Sequence, residues 1–449
     1  MSEATSRHGP FLREYQARNF YELIAAVATM RGETFTVLYP RQAGKNELSA
    51  ALIAALLRGN ADAGGTIVQC APTLTPQGLI SFERTRRWLG TTDHVMTPPA
   101  VMEDSVPTIG VGRARAIFLS ASPAAHVAGH TATIALIADE AQEIDADWFN
   151  RQFRPMAAST GAPTVLFGTP WDSRTLLDEA VARNREHEAR AMGQLRLHYE
   201  VGWPEVAEVN EAYGQYVRHE RDRLGPRHPL FLSQYGLRTI EGGGRLFSAE
   251  ALAAMEGRHA RLQEPIADER YVAGLDVAGD GENADASVLT IARVVAGGAC
   301  EVVQHLAWRS KRITELEAAV TAAANLWRFE RLVIDATGMG LAIAPHLEQE
   351  LGRTEVEAFV FSAGSKSELG YQMIGAAGRG ALRLYAHDGS AEAEACRAEL
   401  RACSSSHRPN RKIAWGNDRG SDDYVASLAL CLRAVESAGA PRVAVGRTR

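Results

Sequence analysis

Two short stretches in the first half of this sequence have the residue types needed to bind and hydrolyse a nucleoside triphosphate. The first is Gly44-Lys45, which lies between a β-branched, aromatic run and a helical pattern rich in leucine. Backbone N–H groups at a helix start can bind a polyphosphate, and a lysine there reaches its outer phosphates. The stretch therefore predicts a phosphate-binding loop, although Tyr39 stands at the usual first glycine and Asn46 at the usual Ser/Thr.

The second stretch is residues 134–142, an apolar strand pattern that ends in Asp139-Glu140. Acids at the carboxyl end of a parallel strand lie where α/β sheets bind their ligands. We expect Asp139 to hold Mg²⁺, directly or through water, and Glu140 to orient and deprotonate the attacking water. The alternative is a strand that ends in solvated acids.

Two further sites are predicted around this loop. The glutamine upstream, Gln16, can read an adenine edge through its two-faced amide, or is an ordinary surface residue. Gly168-Thr169-Pro170 ends a third strand, and this small polar turn could sense the γ-phosphate and relay hydrolysis to another domain. The residues predicted to bind ATP are Gln16, Arg41, Gln42, Ala43, Gly44, Lys45, Asn46 and Asp139, and those predicted to couple hydrolysis to motion are Gly168, Thr169 and Pro170.

The second half carries separated acids that could form a two-metal centre. Asp276 lies on the first strand of a predicted meander, Asp335 ends the fourth strand, and Asp422-Asp423 precede the last helix. Two metal ions that cleave a phosphodiester need such a carboxylate cluster. The alternative for Asp422 is a helix N-cap. We predict Asp276, Asp335 and Asp423 as catalytic and, with Asp422, as metal ligands; Asp280 and Asp285 are weaker candidates.

The order of elements predicts an α/β protein of two domains. A P-loop NTPase domain of the ASCE, RecA-like type is expected over residues 1–240. A glycine-rich linker is expected over 241–268, and an RNase H-like nuclease domain over 269–449. Lys366 and the segment 406–412 could contact phosphates or be solvated loop charges.

Bulk properties limit the possible classes. The formal net charge of −6 requires any nucleic-acid contact to use a local basic patch. Five unclustered cysteines indicate thiols in a reducing compartment. No apolar run is long enough for a signal peptide or a membrane span, so no membrane partner is expected.

Taken together, these motifs resemble the large terminase subunit of tailed bacteriophages, over nearly the whole chain. The resemblance rests on Arg41–Lys45, Asp139-Glu140-Ala141, Gly168–Pro170, Asp276, Asp335, and Asp422-Asp423 before an Ala/Leu-rich helix. It implies a DNA-packaging ATPase and endonuclease that uses ATP and Mg²⁺, with Mn²⁺ as an alternative at the nuclease site. It also implies a homo-oligomeric ring, a pentamer, docked transiently on the prohead in the host cytoplasm. The implied partners are double-stranded DNA, the portal protein and a small terminase subunit.

Two departures from that family, and two rival functions, follow from the same residues. Asn46 replaces the usual hydroxyl metal ligand. Ala128-Gly129 stands where an arginine acting on a neighbour's ATP is usual, so Arg113 or Arg115 could substitute. The rivals are an ATP-dependent helicase–nuclease of repair or defence, and an assembly protein that has lost turnover.

Overall fold

The polypeptide forms two compact units that divide between Gly242 and Gly243. The computed structural model describes residues 10–90, 106–125, 127, 129–240, 243–278, 286–295, 298–309, 312–408, 411–418 and 420–438. Asp280 and Asp285, the weaker metal-ligand candidates, lie outside these residues, as does Ala128.

The segment predicted as a linker belongs, from residue 243 onwards, to the second unit. It contains a short strand and a seven-residue helix, and Leu246, Phe247 and Met255 are buried in that unit's hydrophobic core. The glycines at 242–244 predict a flexible joint, but the apolar residues that follow them pack into this core. The first unit therefore ends close to the predicted boundary, and the second begins about 26 residues before the predicted start at 269.

A seven-stranded sheet organises the first unit. Its strand order is β3-β4-β2-β5-β6-β1-β7, and every neighbouring pair is parallel except β3 and β4. The strands are β1 (Thr34–Leu38), β2 (Gly65–Ala71), β3 (Thr108–Val111), β4 (Ala114–Ser120), β5 (Ala135–Ala138), β6 (Thr164–Gly168) and β7 (His198–Glu200). The central strands are buried, as expected of a parallel sheet covered on both faces.

Nine α-helices surround this sheet within the described part of the unit. They are α1 (Glu14–Thr29), α2 (Lys45–Gly59), α3 (Leu79–Gly90), α4 (Ala146–Gln152), α5 (Arg154–Ala158), α6 (Leu176–Arg190), α7 (Trp203–Val209), α8 (Glu211–Leu224) and α9 (Pro229–Gln234). Helix α2 is buried nearly all round, which its run of alanine and leucine allows. The strand, loop and helix predicted at residues 34–57 are therefore confirmed, with β1 leading directly into the loop and α2.

The second unit is built on a six-stranded mixed sheet of order β13-β12-β9-β10-β11-β14. Strands β9, β10 and β11 form the predicted antiparallel meander, and β12 lies parallel beside β9. The strands of the unit's described part are β8 (Gly244–Arg245), β9 (Tyr271–Asp276), β10 (Ser287–Val295), β11 (Ala299–Trp308), β12 (Arg331–Asp335), β13 (Glu355–Phe359), β14 (Leu382–Arg383), β15 (Ser404–Arg408) and β16 (Lys412–Gly416). Strands β8, β15 and β16 form a separate three-stranded sheet.

Six α-helices belong to the described part of the second unit, and the last of them packs directly on the sheet. They are α10 (Ala249–Met255), α11 (Ile313–Trp327), α12 (Gly340–Glu350), α13 (Ala363–Gly378), α14 (Ala391–Ala402) and α15 (Asp423–Ala438). Gly274 on β9 permits the close approach of α15, because a Cβ there would lie 2.2 Å from the Cys431 nitrogen and 2.3 Å from the Ser427 oxygen. Helix α15 is thereby held against the strand that carries Asp276.

One element differs from its sequence-based interpretation. The sequence indicates loop charges over 406–412, but most of this segment lies in the antiparallel hairpin of β15 and β16. Its Ser- and Arg-rich sequence carries little apolar alternation, which is why it did not predict a strand. The hairpin is anchored instead by Ile413 and Trp415, which are buried in the core beside α13.

Candidate functional sites

The residues of the predicted phosphate loop lead directly into helix α2. Gly44 is the N-cap of α2 and has a φ of 84°, a left-handed value that favours glycine. A Cβ at this position would also lie 2.5 Å from Gln16 Nε2. A side chain at residue 44 would therefore be strained by the left-handed backbone and would displace the Gln16 amide from the loop.

Lys45 is paired with the predicted general base. Its Nζ lies 2.8 Å from Glu140 Oε1, and it also donates to Thr169 Oγ1 at 3.3 Å. The Lys45 side chain is only 7% exposed, whereas that of Glu140 is 23% exposed. The charge of this buried lysine is thus balanced by the carboxylate that is predicted to act as the base.

A hydrogen-bond relay joins Glu140 to the predicted coupling turn. Gln142 donates from Nε2 to Glu140 Oε2 at 2.7 Å, and its Oε1 accepts from the Thr169 N–H at 3.2 Å. The Thr169 hydroxyl in turn donates to the Tyr39 carbonyl at 2.9 Å. Glu140 itself has a φ of 50°, a left-handed value uncommon outside glycine. The relay connects the base, the turn and the start of the phosphate loop.

Asp139 lies behind these groups, directly after the buried strand β5. It is 2% exposed, and its Oδ2 accepts from Ser81 Oγ at 2.6 Å and from Gln69 Nε2 at 3.1 Å. Burial raises the pKa of the Asp139 carboxyl above its ordinary value, against the Ser81 hydrogen bond, which lowers it. Its Oδ1 has no hydrogen-bond partner within the described residues. This oxygen fits the predicted role of Asp139 as a magnesium ligand.

The remaining predicted ATP-site residues surround the loop. Gln16 donates from Nε2 to the Gly44 carbonyl at 2.8 Å and accepts from the Arg13 N–H at 2.9 Å, so its amide supports the loop. Its predicted contact with adenine stays a prediction. Arg41 and Gln42 are exposed, Ala43 is buried and Asn46 is partly exposed.

The arginines predicted to act on a neighbouring subunit lie at the other edge of this sheet. Arg115 is on β4, beside Thr66 at the start of β2, and donates to the Thr66 hydroxyl at 3.2 Å. Arg113 lies in the turn before β4. The predicted phosphate loop follows the carboxyl end of β1, whereas Arg113 and Arg115 lie at the amino end of β4, so they are at the opposite end of the parallel strands from Lys45. Their predicted role across a subunit boundary stays a prediction.

The second unit brings two of the predicted acids side by side. Leu275 on β9 is the register partner of Ile334 on β12, so the next residues, Asp276 and Asp335, end neighbouring parallel strands. The Thr337 N–H donates to Asp335 Oδ1 at 2.7 Å and fixes that carboxylate. The carboxyl ends of these strands thus carry the first two members of the predicted triad.

Helix α15 carries the other two acids at its N-terminus. Asp423 is 7% exposed, and its Oδ2 accepts from the Ala286 N–H at 2.9 Å, just before β10. Asp422 lies 3.7 Å from Lys366 Nζ. The capping carboxylate is Glu399 of α14, which accepts from the Tyr424 N–H at 2.8 Å and the Val425 N–H at 3.3 Å. Glu399 thus fills the capping role that the sequence suggested for Asp422.

The electrostatics show that these acids share one environment. Burial raises the pKa of the Asp276 carboxyl well above its ordinary value, and the charges of Asp335, Asp423, Asp422 and Glu399 raise it further. Burial also raises the pKa of Asp335, which the Thr337 hydrogen bonds and Lys366 oppose. Hard carboxylate oxygens with unfavourable mutual repulsion suit Mg²⁺ or Mn²⁺.

Although the charges favour a cation, the described side chains do not form a preformed metal site. Within the residues that the structure describes, no three His, Cys, Asp or Glu side chains converge closely enough to hold an ion. The four acids Asp276, Asp335, Asp422 and Asp423 therefore fit a cation by donor chemistry and by mutual repulsion. The assignment of individual ligands stays a prediction.

Several contributing residues carried no clear signal in the sequence. Gln142 follows the Asp-Glu-Ala run, and its position two residues after the base could have suggested a relay. Ser81, Gln69 and Glu399 reach their sites from separate elements, so only the fold reveals them. Lys366, one of the loop charges in the sequence, has its Nζ 4.6 Å from the Trp415 ring centroid and faces Asp422.

Comparison with known proteins gives a match at the level of structure. No protein-family model matches the chain, and no curated protein does. A large terminase from a thermophilic bacteriophage is 12% identical over 94% of this chain and 98% of that chain, with a TM-score of 0.53. The same terminase in complex with ADP is 12% identical over 94% and 99% of the two chains, with a TM-score of 0.51. The large terminase nuclease of the thermophilic phage G20c with bound magnesium is 20% identical over 42% and 96%, with a TM-score of 0.35.

Proposed function

We propose that this protein, which has the two-domain fold of the phage large terminases, is the motor and nuclease subunit of a DNA-packaging machine. ATP hydrolysis in the first unit drives double-stranded DNA into a prohead, and a metal-dependent endonuclease in the second unit cuts concatemeric DNA. The observation that carries the proposal is that one chain holds both centres. Lys45 and Glu140 meet at a phosphate loop, and Asp276 and Asp335 end adjacent strands beside α15.

The ATPase role assigns distinct tasks to residues already in contact. The loop N–H groups around Gly44 and Lys45 bind the triphosphate. Lys45 breaks its ion pair with Glu140 and neutralises negative charge on the triphosphate. Glu140, held at its other oxygen by Gln142, then accepts a proton from the attacking water. Asp139 and Asn46 would offer oxygens to the Mg²⁺ that accompanies ATP. Thr169 senses the change, because it contacts both Lys45 and the relay.

The nuclease role rests on the acids of the second unit. Bound Mg²⁺ or Mn²⁺ would activate a water and stabilise the leaving oxygen of a phosphodiester. Asp276, Asp335 and Asp423 hold the cations, with Asp422 as a further oxygen donor. The Ala286 N–H orients Asp423, the Thr337 N–H orients Asp335, and Glu399 fixes the start of α15. These contacts keep the acids near one another at one end of the sheet.

The wider assembly is proposed from the same likeness in fold. We propose that five subunits form a ring on the portal protein, that a small terminase subunit selects the DNA, and that the assembly works in the host cytoplasm. Within the described residues, no helix is long and apolar enough to cross a bilayer. The described part of the first unit holds one seven-stranded sheet, which does not support a helicase with two such domains.

Purified full-length protein provides the test. It should release phosphate from ATP and linearise supercoiled plasmid, with plasmid cutting dependent on Mg²⁺ or Mn²⁺ and stopped by EDTA. Phosphate release without any metal-dependent cutting would support an ATPase of another kind. Failure of both activities at high protein concentration would support the alternative of an assembly protein that has lost turnover.

A further inference from the structure

A large open groove lies on the second unit, next to the acid cluster described above. Its volume is about 920 Å³, and it is bounded by β8, the β15–β16 hairpin, the first turn of α13 and the segment before α15. Three cationic side chains line it: Arg245, Lys366 and Arg408. Because two acids, Asp418 and Asp422, also line it, the groove carries a small excess of positive charge on a protein whose net charge is −6.

Two of these cations are available to a ligand. Arg245 and Arg408 are exposed, and neither has a carboxylate within 4.0 Å among the residues that the structure describes. The acids in the lining are Asp418 and Asp422, of which Asp422 faces Lys366. Several other arginines of this unit are paired with acids, for example Arg397 with Glu256 at 2.7 Å. Unpaired arginines on one wall are a common means of attracting phosphate.

The β15–β16 hairpin forms the floor of the groove with side chains that are mostly small or polar. Ser404, Ser406 and Arg408 alternate along β15 and so point to the same face of the hairpin. Their cross-strand partners include Gly416 and Ala414, which leave space above the strands. Hydroxyl groups and arginines suit sugar–phosphate contacts, which carry no sequence information.

One end of the groove opens onto the nuclease acids. A Cβ at Gly416 would lie 2.8 Å from Asp422 Oδ2 and 3.9 Å from Lys366 Nζ. A side chain at residue 416 would therefore push against the Asp422 carboxylate, so Gly416 keeps the space between the hairpin and Asp422 open. Lys366 is fixed at this junction by the Trp415 ring on one side and by Asp422 on the other.

We propose that this groove binds the backbone of one DNA strand next to the scissile phosphate. Arg245 and Arg408 contact phosphates along the hairpin, and Lys366 contacts the phosphate closest to the acids. The inference rests on the proposed nuclease function and adds to it the path by which DNA enters the second unit. Because the contacts are to phosphates, binding along this path tolerates any sequence.

The test compares two double variants that each remove two positive charges. Arg245→Ala with Arg408→Ala removes the groove contacts. Arg258→Ala with Arg353→Ala removes two exposed arginines of the same unit that do not line the groove. For each full-length protein, the KM and kcat of duplex cleavage are measured with Mg²⁺. The affinity for a labelled duplex without metal is measured across a series of KCl concentrations.

The groove variant should raise the KM for cleavage roughly tenfold with kcat nearly unchanged, and its salt slope should fall by about two, since each lost phosphate contact contributes about 0.9. The control variant should behave as wild type. Equal KM values for the two double variants would overturn the groove assignment while leaving the nuclease in place. A wild-type protein that cuts no DNA would instead overturn the proposed function on which the groove depends.

Discussion

The two candidate sites of this protein differ in how their charges are arranged. In the first unit, Lys45 and Glu140 form an ion pair at 2.8 Å, so the lysine charge is already balanced by the base. In the second unit, Asp276 lies among acids of its own sign, and burial and their charges raise its pKa. Under the proposed function, bound ATP would have to break the Lys45–Glu140 pair before Glu140 could act as a base. A cation bound in the second unit would instead relieve the repulsion among its acids.

Loss of the general base should have the largest effect on the first centre. Glu140→Gln removes the proton acceptor but keeps a side chain of the same size, so ATP turnover should fall by about 10²–10⁴-fold. Nucleotide binding should persist or tighten, because Lys45 no longer has a carboxylate partner. Phosphate release and equilibrium binding of a fluorescent ATP analogue measure the two effects.

Glu143→Gln is the matched control, since Glu143 lies in the same turn and its side chain accepts from Gln77 Nε2 at 3.4 Å, away from Lys45. It should keep the wild-type rate. Unchanged turnover in Glu140→Gln would remove Glu140 from the role of base.

Removal of one acid should have the next largest effect, in the second centre. Asp276→Asn, Asp335→Asn and Asp423→Asn each delete a charge that a cation needs, and cleavage should fall more than about 100-fold, the upper cost of a lost supporting contact. Asp422→Asn should cost less, because Asp422 faces Lys366 rather than the buried acids. Plasmid cleavage over a range of Mn²⁺ concentrations ranks the four variants.

The ranking can contradict the assignment in a specific way. Full plasmid cleavage by Asp335→Asn would show that the predicted triad of Asp276, Asp335 and Asp423 is wrong. If Asp422→Asn cut no plasmid while Asp423→Asn still cut it, the site would stand, but Asp422 and not Asp423 would be the main metal ligand.

The repulsion in the second unit predicts an unusual gain in stability. Because the folded-state pKa of Asp276 is raised, ionising it destabilises the fold, and that cost is absent below the unfolded pKa and grows as pH rises. Asp276→Asn should therefore raise Tm at neutral pH in EDTA, by about 2–4 °C for each kcal/mol recovered. Mg²⁺ should raise the Tm of wild type but not that of the variant.

Scanning calorimetry of both proteins with and without Mg²⁺ measures this difference. Asp268→Asn, at an exposed site of the same unit, should leave Tm unchanged in either buffer. A lower Tm for Asp276→Asn in EDTA would show that the acids are not in mutual repulsion.

The smallest expected effect is a pH dependence of folding stability that comes from a histidine in the core of the second unit and not from its acid cluster. His305 is fully buried between the rings of Tyr385 and Tyr424, and burial, with the charges of Arg261 and Arg397, lowers its pKa to about 3. The unfolded state binds a proton near an ordinary histidine pKa of about 6.5, so stability should fall by about 2 kcal/mol between about pH 7 and pH 5.

His305→Gln should flatten that dependence, as followed by urea unfolding at both pH values. His346→Gln, at an exposed histidine near Glu317, should leave it in place. An equally steep loss of stability in His305→Gln would assign the pH dependence to other groups.

The positions of the candidate residues in the fold were predicted best where those residues are consecutive in the sequence. Gly44-Lys45 and Asp139-Glu140 are adjacent pairs at strand ends, and the structure places them as expected. The acids of the second unit could be predicted because each sits at a definite element boundary. Contacts such as those of Glu399 with α15 or Ser81 with Asp139 depend on how separate helices pack, which local pattern does not encode. The β15–β16 hairpin escaped prediction because its exposed face is polar and its strands are short.

The central claim is that one chain carries two independent hydrolytic centres, and a single reaction mixture tests it most directly. Glu140→Gln and Asp335→Asn are each incubated with ATP, Mg²⁺ and supercoiled plasmid, and phosphate release and plasmid cutting are followed together. The account predicts that Glu140→Gln cuts plasmid without releasing phosphate, and that Asp335→Asn releases phosphate at the wild-type rate without cutting. Loss of both activities in either folded variant, or cutting by Asp335→Asn, would contradict it.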